Sequence, residues 1–497
     1  MTDTLTALQT ATDINVVMQQ SQQAFDEYKL LSGSARASFL EEIAAQIELK
    51  REQLVAIANE ESNLPLARLN GELSRTTNQL KLFAEVIKEG SWVEAAIDEA
   101  DSTRTPARPD IRKMLVPLGP VIVFGASNFP FAFSTAGGDT ASALAAGCSV
   151  VIKGHPAHAK TSLLVFDAIQ KAIAASNVPQ YVVQHVEGKS NETGKALVQH
   201  PATTAVGFTG SFAGGKALHS YSNEREKPVP VFAEMSSINP VVFYPSTLKE
   251  NAPALAQQYA GSITLGMGQF CTNPGILLAV KGEALDNFLS LLSAEIKKIT
   301  PQKMLHSGIC QSYNKGLHTM LEEQGIEVIA QSEQKPGELE AYPTLAKVSA
   351  AVFIQNPHFR EELFGPYSLA VVCEDIDQLK QVLHSLHGQL TTTAMATEED
   401  LSAYMEVLEL QKTLAGRIII NAAPTGVEVC AAMVHGGPYP ATTDARFTSV
   451  GTSAIQRWAR PLCFQGFPDA LLPLELQRAN PLNIVRIENN RYVIPNI

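Results

Sequence analysis

Apolar side chains recur at helical spacing through the first hundred residues. Ile43, Ile47, Leu54 and Ile57 fall in segments rich in Ala, Glu, Gln and Lys, which predicts amphipathic helices there. From Val116 the texture changes to short β-branched runs alternating with Ala-rich amphipathic segments. Residues 121–124, 150–152, 181–183 and 205–208 read as strands, and 140–146, 161–175 and 194–198 as helices. Such alternation predicts a parallel sheet with helices on both faces, the α/β class. A second α/β region runs from Pro240 to about residue 432, with a helix over 251–265 leading to Cys271 and strands near Val352 and over 368–372. The tail from Val434 is rich in Pro, Gly and Arg. No internal repeat or low-complexity linker interrupts the chain.

Composition narrows the class. The chain has 497 residues, 45% hydrophobic and 18% charged, enough for a large core and roughly two to four domains. Its net charge of −12, with no basic cluster, argues against a nucleic-acid footprint. Between residues 115 and 152 Asp139 is the only charge, but Gly, Pro, Ser and Asn break the run. It reads as buried α/β structure instead of a membrane span, which needs ~20 unbroken apolar residues. Residues 1–15 are polar, so no signal peptide is expected. Six cysteines without framework spacing read as reduced thiols of a cytoplasmic protein. No His or Cys/His spacing suggests a metal.

Candidate chemistry starts at Cys271, in Gly266-Met267-Gly268-Gln269-Phe270-Cys271-Thr272-Asn273-Pro274-Gly275. Structural cysteines sit among apolar neighbours; glycines and amides around a thiol are how a loop presents a nucleophile. Asn128, in Gly125-Ala126-Ser127-Asn128-Phe129-Pro130, follows a predicted strand. Its amide suits a developing oxyanion, a contact worth about 3 kcal/mol, although a turn before Pro130 would also use an Asn. Glu234 ends the apolar run Val231-Phe232-Ala233, where burial would raise its pKa and make it a general base; solvation at a strand end is the plainer use. Phe208-Thr209-Gly210-Ser211, followed by Gly214-Gly215, is a strand-to-helix junction small enough to admit a phosphate, or only a tight turn. Lys153 closes a strand where nucleotides bind in parallel sheets. Glu361-Glu362-Leu363-Phe364-Gly365-Pro366 reads as a turn carrying an acid and an aromatic.

In this order, over nearly the whole chain, these segments resemble the aldehyde dehydrogenase superfamily. The resemblance implies that Asn128 is the oxyanion donor, Cys271 the nucleophile and Glu234 the general base. It further implies that Lys153 binds the cofactor's ribose, that Gly210, Ser211 and Gly215 lie at the pyrophosphate, and that Glu362 and Phe364 hold the nicotinamide ribose. The acid that usually follows the nucleotide lysine by three residues is replaced by Pro156, so a 2′-phosphate would not be repelled and the expected cofactor is NADP, or NAD. Glu234-Met235-Ser236-Ser237-Ile238-Asn239-Pro240 departs from the usual Glu-Leu-Gly-Gly. With the cysteine segment and His435-Gly436-Gly437-Pro438-Tyr439-Pro440-Ala441-Thr442, it is similar to the branch holding α-ketoglutaric semialdehyde dehydrogenases and the NADP-dependent fatty aldehyde dehydrogenase of luminous bacteria.

The resemblance implies a Rossmann-like cofactor domain (1–239, with the N-terminal helices), an α/β catalytic domain (240–432) and a C-terminal segment (433–497) serving partly in oligomerisation. A homodimer or homotetramer acting on a small aldehyde, with no nucleic-acid or membrane partner, is expected. The implied reaction is oxidation of an aldehyde to an acid through a cysteine thiohemiacetal and thioester, with 2,5-dioxopentanoate ahead of a fatty aldehyde. CoA-acylating and cysteine-hydrolase variants rank lower, the second because no histidine lies in a motif beside the thiol. Arg446 and Arg460 are candidate carboxylate partners, with surface salt bridges the plainer use of each.

Overall fold

The computed structural model describes residues 11–494; residues 1–10, most of the stretch read for a signal peptide, lie outside the described residues. Four helices open the chain: α1 (Ala11–Tyr28), α2 (Gly33–Glu48), α3 (Arg51–Ser62) and α4 (Leu66–Glu89). Ser32 caps α2 by accepting from the Ala35 N–H, and left-handed Asn63 and Gly90 end α3 and α4, as side-chain and αL caps do. One face of α4 buries Leu69, Leu73, Leu80 and Phe83. The buried Glu72 of that helix accepts from the N–H groups of Phe131 and Ala132 at 2.8 and 3.0 Å. Arg68 donates to the Asn128 carbonyl at 2.8 Å. Thus α4 grips the loop that carries Asn128.

After β1 (Ala96–Asp98) and β2 (Ile111–Pro117) come β3 (Val121–Phe124), β4 (Val150–Lys153), β5 (Val183–Val186), β6 (Ala205–Thr209) and β7 (Val231–Glu234). The last five form a parallel sheet ordered β5-β4-β3-β6-β7. Val150, Val151 and Ile152 have no exposure, the signature of strands covered on both faces. Next follow β8 (Val241–Phe243), β9 (Ile276–Val280), β10 (Glu327–Gln331), β11 (Thr344–Ser349), β12 (Tyr367–Cys373), β13 (Gln389–Met395) and β14 (Ala415–Ile420). They build a sheet ordered β10-β11-β12-β9-β8-β13-β14, antiparallel only between β10 and β11. Finally β15 (Ala459–Gln465), β16 (Arg486–Glu488) and β17 (Arg491–Val493) join β1 and β2 in a small mixed sheet. The architecture is α/β with Rossmann-like parallel sheets.

Two local readings shift. The apolar run around Val352 is not a strand: β11 stops at Ser349, whose hydroxyl caps the helix Ala350–Gln355 by accepting from Val352 N–H. The strand expected at 181–183 begins at Val183, because the chain reaches the sheet only after the 179–182 turn. Among the described residues no helix is long and apolar enough to cross a membrane.

Candidate active site

In the five-stranded sheet, chain direction makes β3 and β6 neighbours although β4 and β5 lie between them in sequence. Dinucleotides bind outside the carboxyl ends of strands at such a switch point. The ends of β4, β6 and β7 deliver Lys153, the Gly210-Ser211 turn and Glu234 to this edge, and the loop after β3 delivers Asn128.

Cys271 arrives from the other sheet. The helix Pro245–Thr264 ends in three left-handed residues, Gly266 (φ 53°), Met267 (φ 55°) and Gly268 (φ 63°). A Cβ on Gly268 would stand 2.1 Å from the Gly365 carbonyl oxygen, so this loop packs backbone to backbone against the Phe364-Gly365-Pro366 turn. Asn239, itself left-handed at φ 46°, donates to the carbonyls of Cys271 and Asn273, both at 2.9 Å. Gln389 Oε1 accepts from the Ile238 and Asn239 N–H groups at 2.7 and 3.1 Å and from the Ser237 hydroxyl at 3.0 Å. The departure from Leu-Gly-Gly therefore has structural content at Ser237, which with Asn239 ties β13 to the thiol loop. Asn128 Nδ2 donates to the Gln269 carbonyl at 3.2 Å, which sets the amide beside this loop and leaves its second N–H for another acceptor.

His435 joins two of the candidate groups. Its Nε2 lies 3.4 Å from Cys271 Sγ and 3.0 Å from Glu234 Oε1, while Ser449 donates to Glu234 Oε2 at 2.6 Å. Sequence reasoning set aside a histidine beside the thiol, and this is a correction. The available signal was His435 opening a Gly-Gly run: a Cβ on Gly437 would stand 2.0 Å from the Gln389 carbonyl oxygen. The ligating atoms of Glu234, Cys271 and His435 lie within 4.8 Å of one another, a set chemically able to hold a soft divalent ion that no sequence spacing revealed.

Electrostatics follow from burial and contact. Burial pushes the Cys271 thiol well above its ordinary pKa, the Glu234 and Glu362 charges push it the same way, and Arg75 opposes them. Burial also raises Glu234, but the charge and hydrogen bond of His435 and bonds from Ser449 and Cys271 outweigh it, leaving the carboxyl below its usual range. The raised pKa expected from its strand-end position is thus reversed by partners distant in sequence.

At the cofactor edge, Ser211 caps the helix Phe212–Asn223 by accepting from Gly214 N–H at 3.2 Å. A Cβ on Gly210 or Gly214 would meet the Phe208 ring at 2.6 or 2.8 Å, so small residues keep that turn open. Gly215 plays a different part, since a Cβ there would meet Met235 at 2.6 Å: it packs helix against strand. Lys153 turns its ammonium to the carbonyls of Gly154 and Gly188, at 2.9 and 2.6 Å. Glu362 and Phe364 line a small cleft with Ser237 and Phe270. Burial, resisted by Ser236 and the Ser237 N–H, pushes Glu362 up to about 7. A phosphate-sized turn, a cation and an acceptor for ribose hydroxyls fit a nicotinamide dinucleotide. Arg446 pairs with Asp444 at the surface and Arg460 is exposed, so neither belongs to this site.

A model of the aldehyde dehydrogenase family matches residues 4–441. The chain is 47% identical over 480 residues to α-ketoglutaric semialdehyde dehydrogenase 2 of Azospirillum brasilense, covering 96% of this chain and 91% of the relative. It is 45% identical over 482 residues to α-ketoglutaric semialdehyde dehydrogenase of Acinetobacter baylyi, covering 97% and 91%. Among solved structures, 1-pyrroline-5-carboxylate dehydrogenase from Thermus with bound NAD is similar, with a TM-score of 0.76 at 17% identity over 92% of this chain and 86% of that one.

Proposed function

The chain belongs to the aldehyde dehydrogenase family, an NAD(P)-dependent enzyme family, and from that premise we propose that it oxidises 2,5-dioxopentanoate to 2-oxoglutarate. Both curated relatives carry the matching name, and a fatty aldehyde is not favoured by them. The observation that carries the chemistry is the contact of Cys271 with His435 and Glu234 beside the Asn128 amide.

In this reading the Cys271 thiol gives its proton to the Glu234–His435 pair and its sulfur attacks the aldehyde carbon. The resulting oxyanion lies against Asn128 Nδ2 and the Cys271 N–H. A bound nicotinamide dinucleotide supplies the hydride acceptor. Cys271 then carries an acyl thioester; once the pair has released the thiol proton to solvent, Glu234 takes a proton from the water that hydrolyses the thioester. Ser449 and His435 keep that carboxylate ionised and aimed. Lys153, Gly210 and Ser211 hold the ribose and pyrophosphate end, with Gly215 packing the helix behind them; Glu362 and Phe364 hold the nicotinamide ribose. A Cys–His pair also suits a hydrolase, but family membership favours the dehydrogenase. Free cysteines without disulfide partners support a cytoplasmic site. Exposed Phe467, Leu471, Tyr492 and Ile494 near the small sheet support a homodimer or homotetramer.

The test is a substrate series, 2,5-dioxopentanoate against hexanal, first with NAD, then with NADP, with and without CoA. The dioxo acid should give the higher kcat/KM and a free acid as product. Preference for hexanal refutes the substrate, and acyl-CoA as sole product refutes hydrolysis by Glu234.

A further inference from the structure

Arg75 on α4 lies near the nucleophile without a protein partner. Its Nε and Nη2 atoms are buried and make no hydrogen bond, and no carboxylate among the described residues lies within ion-pair distance of it. These two nitrogens form the guanidinium edge that grips a carboxylate with two parallel N–H bonds. The protein uses that same edge elsewhere on its own acids. Arg112 holds Asp110 through Nε and Nη2 at 2.9 and 3.2 Å, and Arg51 holds Glu48 at 2.8 and 2.8 Å. At Arg75 the fork is buried and no acceptor among the described residues meets it.

Its surroundings point toward the reaction. Arg75 borders a cleft of about 710 Å³ between α4 and the 427–429 segment. Its guanidinium lies 5.5 Å from the Phe133 ring centre. From there an aromatic wall continues from Phe133 to Phe129 (5.2 Å) and to Phe270 (5.8 Å), the residue before Cys271. Its charge is felt most by Glu72, one turn back on the same helix, then by Cys271, Glu428 and Glu234. Arg68 stacks on Phe129 and Phe270 at 5.1 and 4.6 Å and gives Nη2 to the Asn128 carbonyl, so it offers the single unpaired Nη1 and no Nε/Nη2 fork. An aromatic wall with the Arg75 fork at its far end and the thiol at the other suits an aldehyde whose far end is an acid. Arg417 also has a buried unpaired Nε, but its terminal nitrogens are spent on the Gly426 and Pro424 carbonyls at 3.0 and 2.8 Å, so it offers one N–H and no fork.

We propose that Arg75 is the specificity-determining residue that binds the carboxylate end of an oxo-acid substrate through its Nε/Nη2 edge, a proposal that rests on the oxo-acid reading above. A buried ion-paired anchor is costly to leave empty, so removing the fork acts on charged aldehydes far more than on neutral ones.

The test measures kcat/KM for 5-oxopentanoate and pentanal, an acid and its neutral match, in wild type, Arg75→Met and Arg75→Lys. Wild type should prefer the acid, mainly through KM. In Arg75→Met the acid-to-neutral ratio should fall at least about 30-fold, and in Arg75→Lys, which keeps the charge without the fork, by less. A ratio unchanged in Arg75→Met overturns the proposal. Should that variant not fold, an unchanged ratio in Arg75→Lys overturns it instead. Wild type without any preference for the acid refutes the substrate reading and this proposal together; a preference that survives both substitutions refutes Arg75 alone.

Discussion

His435 Nε2 stands 3.4 Å from Cys271 Sγ, although 164 residues separate the two in sequence. The same nitrogen lies 3.0 Å from Glu234 Oε1, so a half-buried thiol shares one proton network with a buried imidazole and carboxylate. Burial first, then the Glu234 and Glu362 charges, push the thiol's pKa up, and Arg75 opposes them.

Glu234→Gln should shift the pH profile of Cys271 alkylation by iodoacetamide to lower pH. The sign follows from charge: a carboxylate beside a thiol raises the thiol's pKa, so neutralising it lowers that value. Arg75→Met should move the profile the other way, since the Arg75 charge favours the thiolate. An unmoved profile in both variants would mean that neither charge governs the thiol.

The same Glu234→Gln enzyme should keep its first-turnover burst of NAD(P)H while steady-state turnover falls on the order of 100-fold or more, as when a general base is lost. Stopped-flow absorbance separates the phases. Equal loss of both would assign Glu234 to activating the thiol instead of water.

Glu362, pushed up to about 7 by burial, should make cofactor binding pH-dependent. A ribose hydroxyl donates best to the ionised carboxylate, and the folded apoenzyme holds the proton to higher pH than a free carboxyl would. Affinity should therefore weaken as pH falls through about 7, with protons released on binding below it. Titration calorimetry in buffers of different ionisation enthalpy reads this directly. Glu362→Gln should flatten the dependence; an unchanged slope would place the titrating group elsewhere.

Gly268→Ala places a Cβ 2.1 Å from the Gly365 carbonyl oxygen at φ +63°, and backbone on both sides cannot yield cheaply. Thermal melts should show a loss of about 1–3 kcal/mol, with activity falling as the thiol loop moves. Gly261→Ala, in the helix Pro245–Thr264 with nothing within 4 Å of the added carbon, should stabilise by about 0.4–1 kcal/mol. Similar melts for both would mean the loop does not depend on that close approach.

Much of this was legible in the sequence because the signals are local. Strands such as 150–152 are apolar runs bounded by Gly and Pro, and Cys271, Asn128 and Glu234 each sit in a short motif at an element end. What stayed hidden depends on contacts across the chain. His435 reaches the thiol only after β7 and the 435–449 segment pack together, and Glu234 is held ionised by His435 and Ser449, more than 200 residues away. Arg75 sits in no motif; only folding buries its Nε and Nη2 without a hydrogen-bond partner. The run at Val352 misled because apolar β-branched residues fit either element, and the Ser349 cap decides for helix.

The proposed acylation of Cys271 is the step on which the rest of the proposed mechanism depends. Glu234→Gln enzyme, incubated with 2,5-dioxopentanoate and NAD(P)+ and quenched in acid, should give a Cys271 peptide carrying the mass of the acyl group by tandem mass spectrometry. The same peptide should be unmodified when the cofactor is omitted. An acyl group on another cysteine, or an NAD(P)H burst that survives Cys271→Ala, would contradict the account.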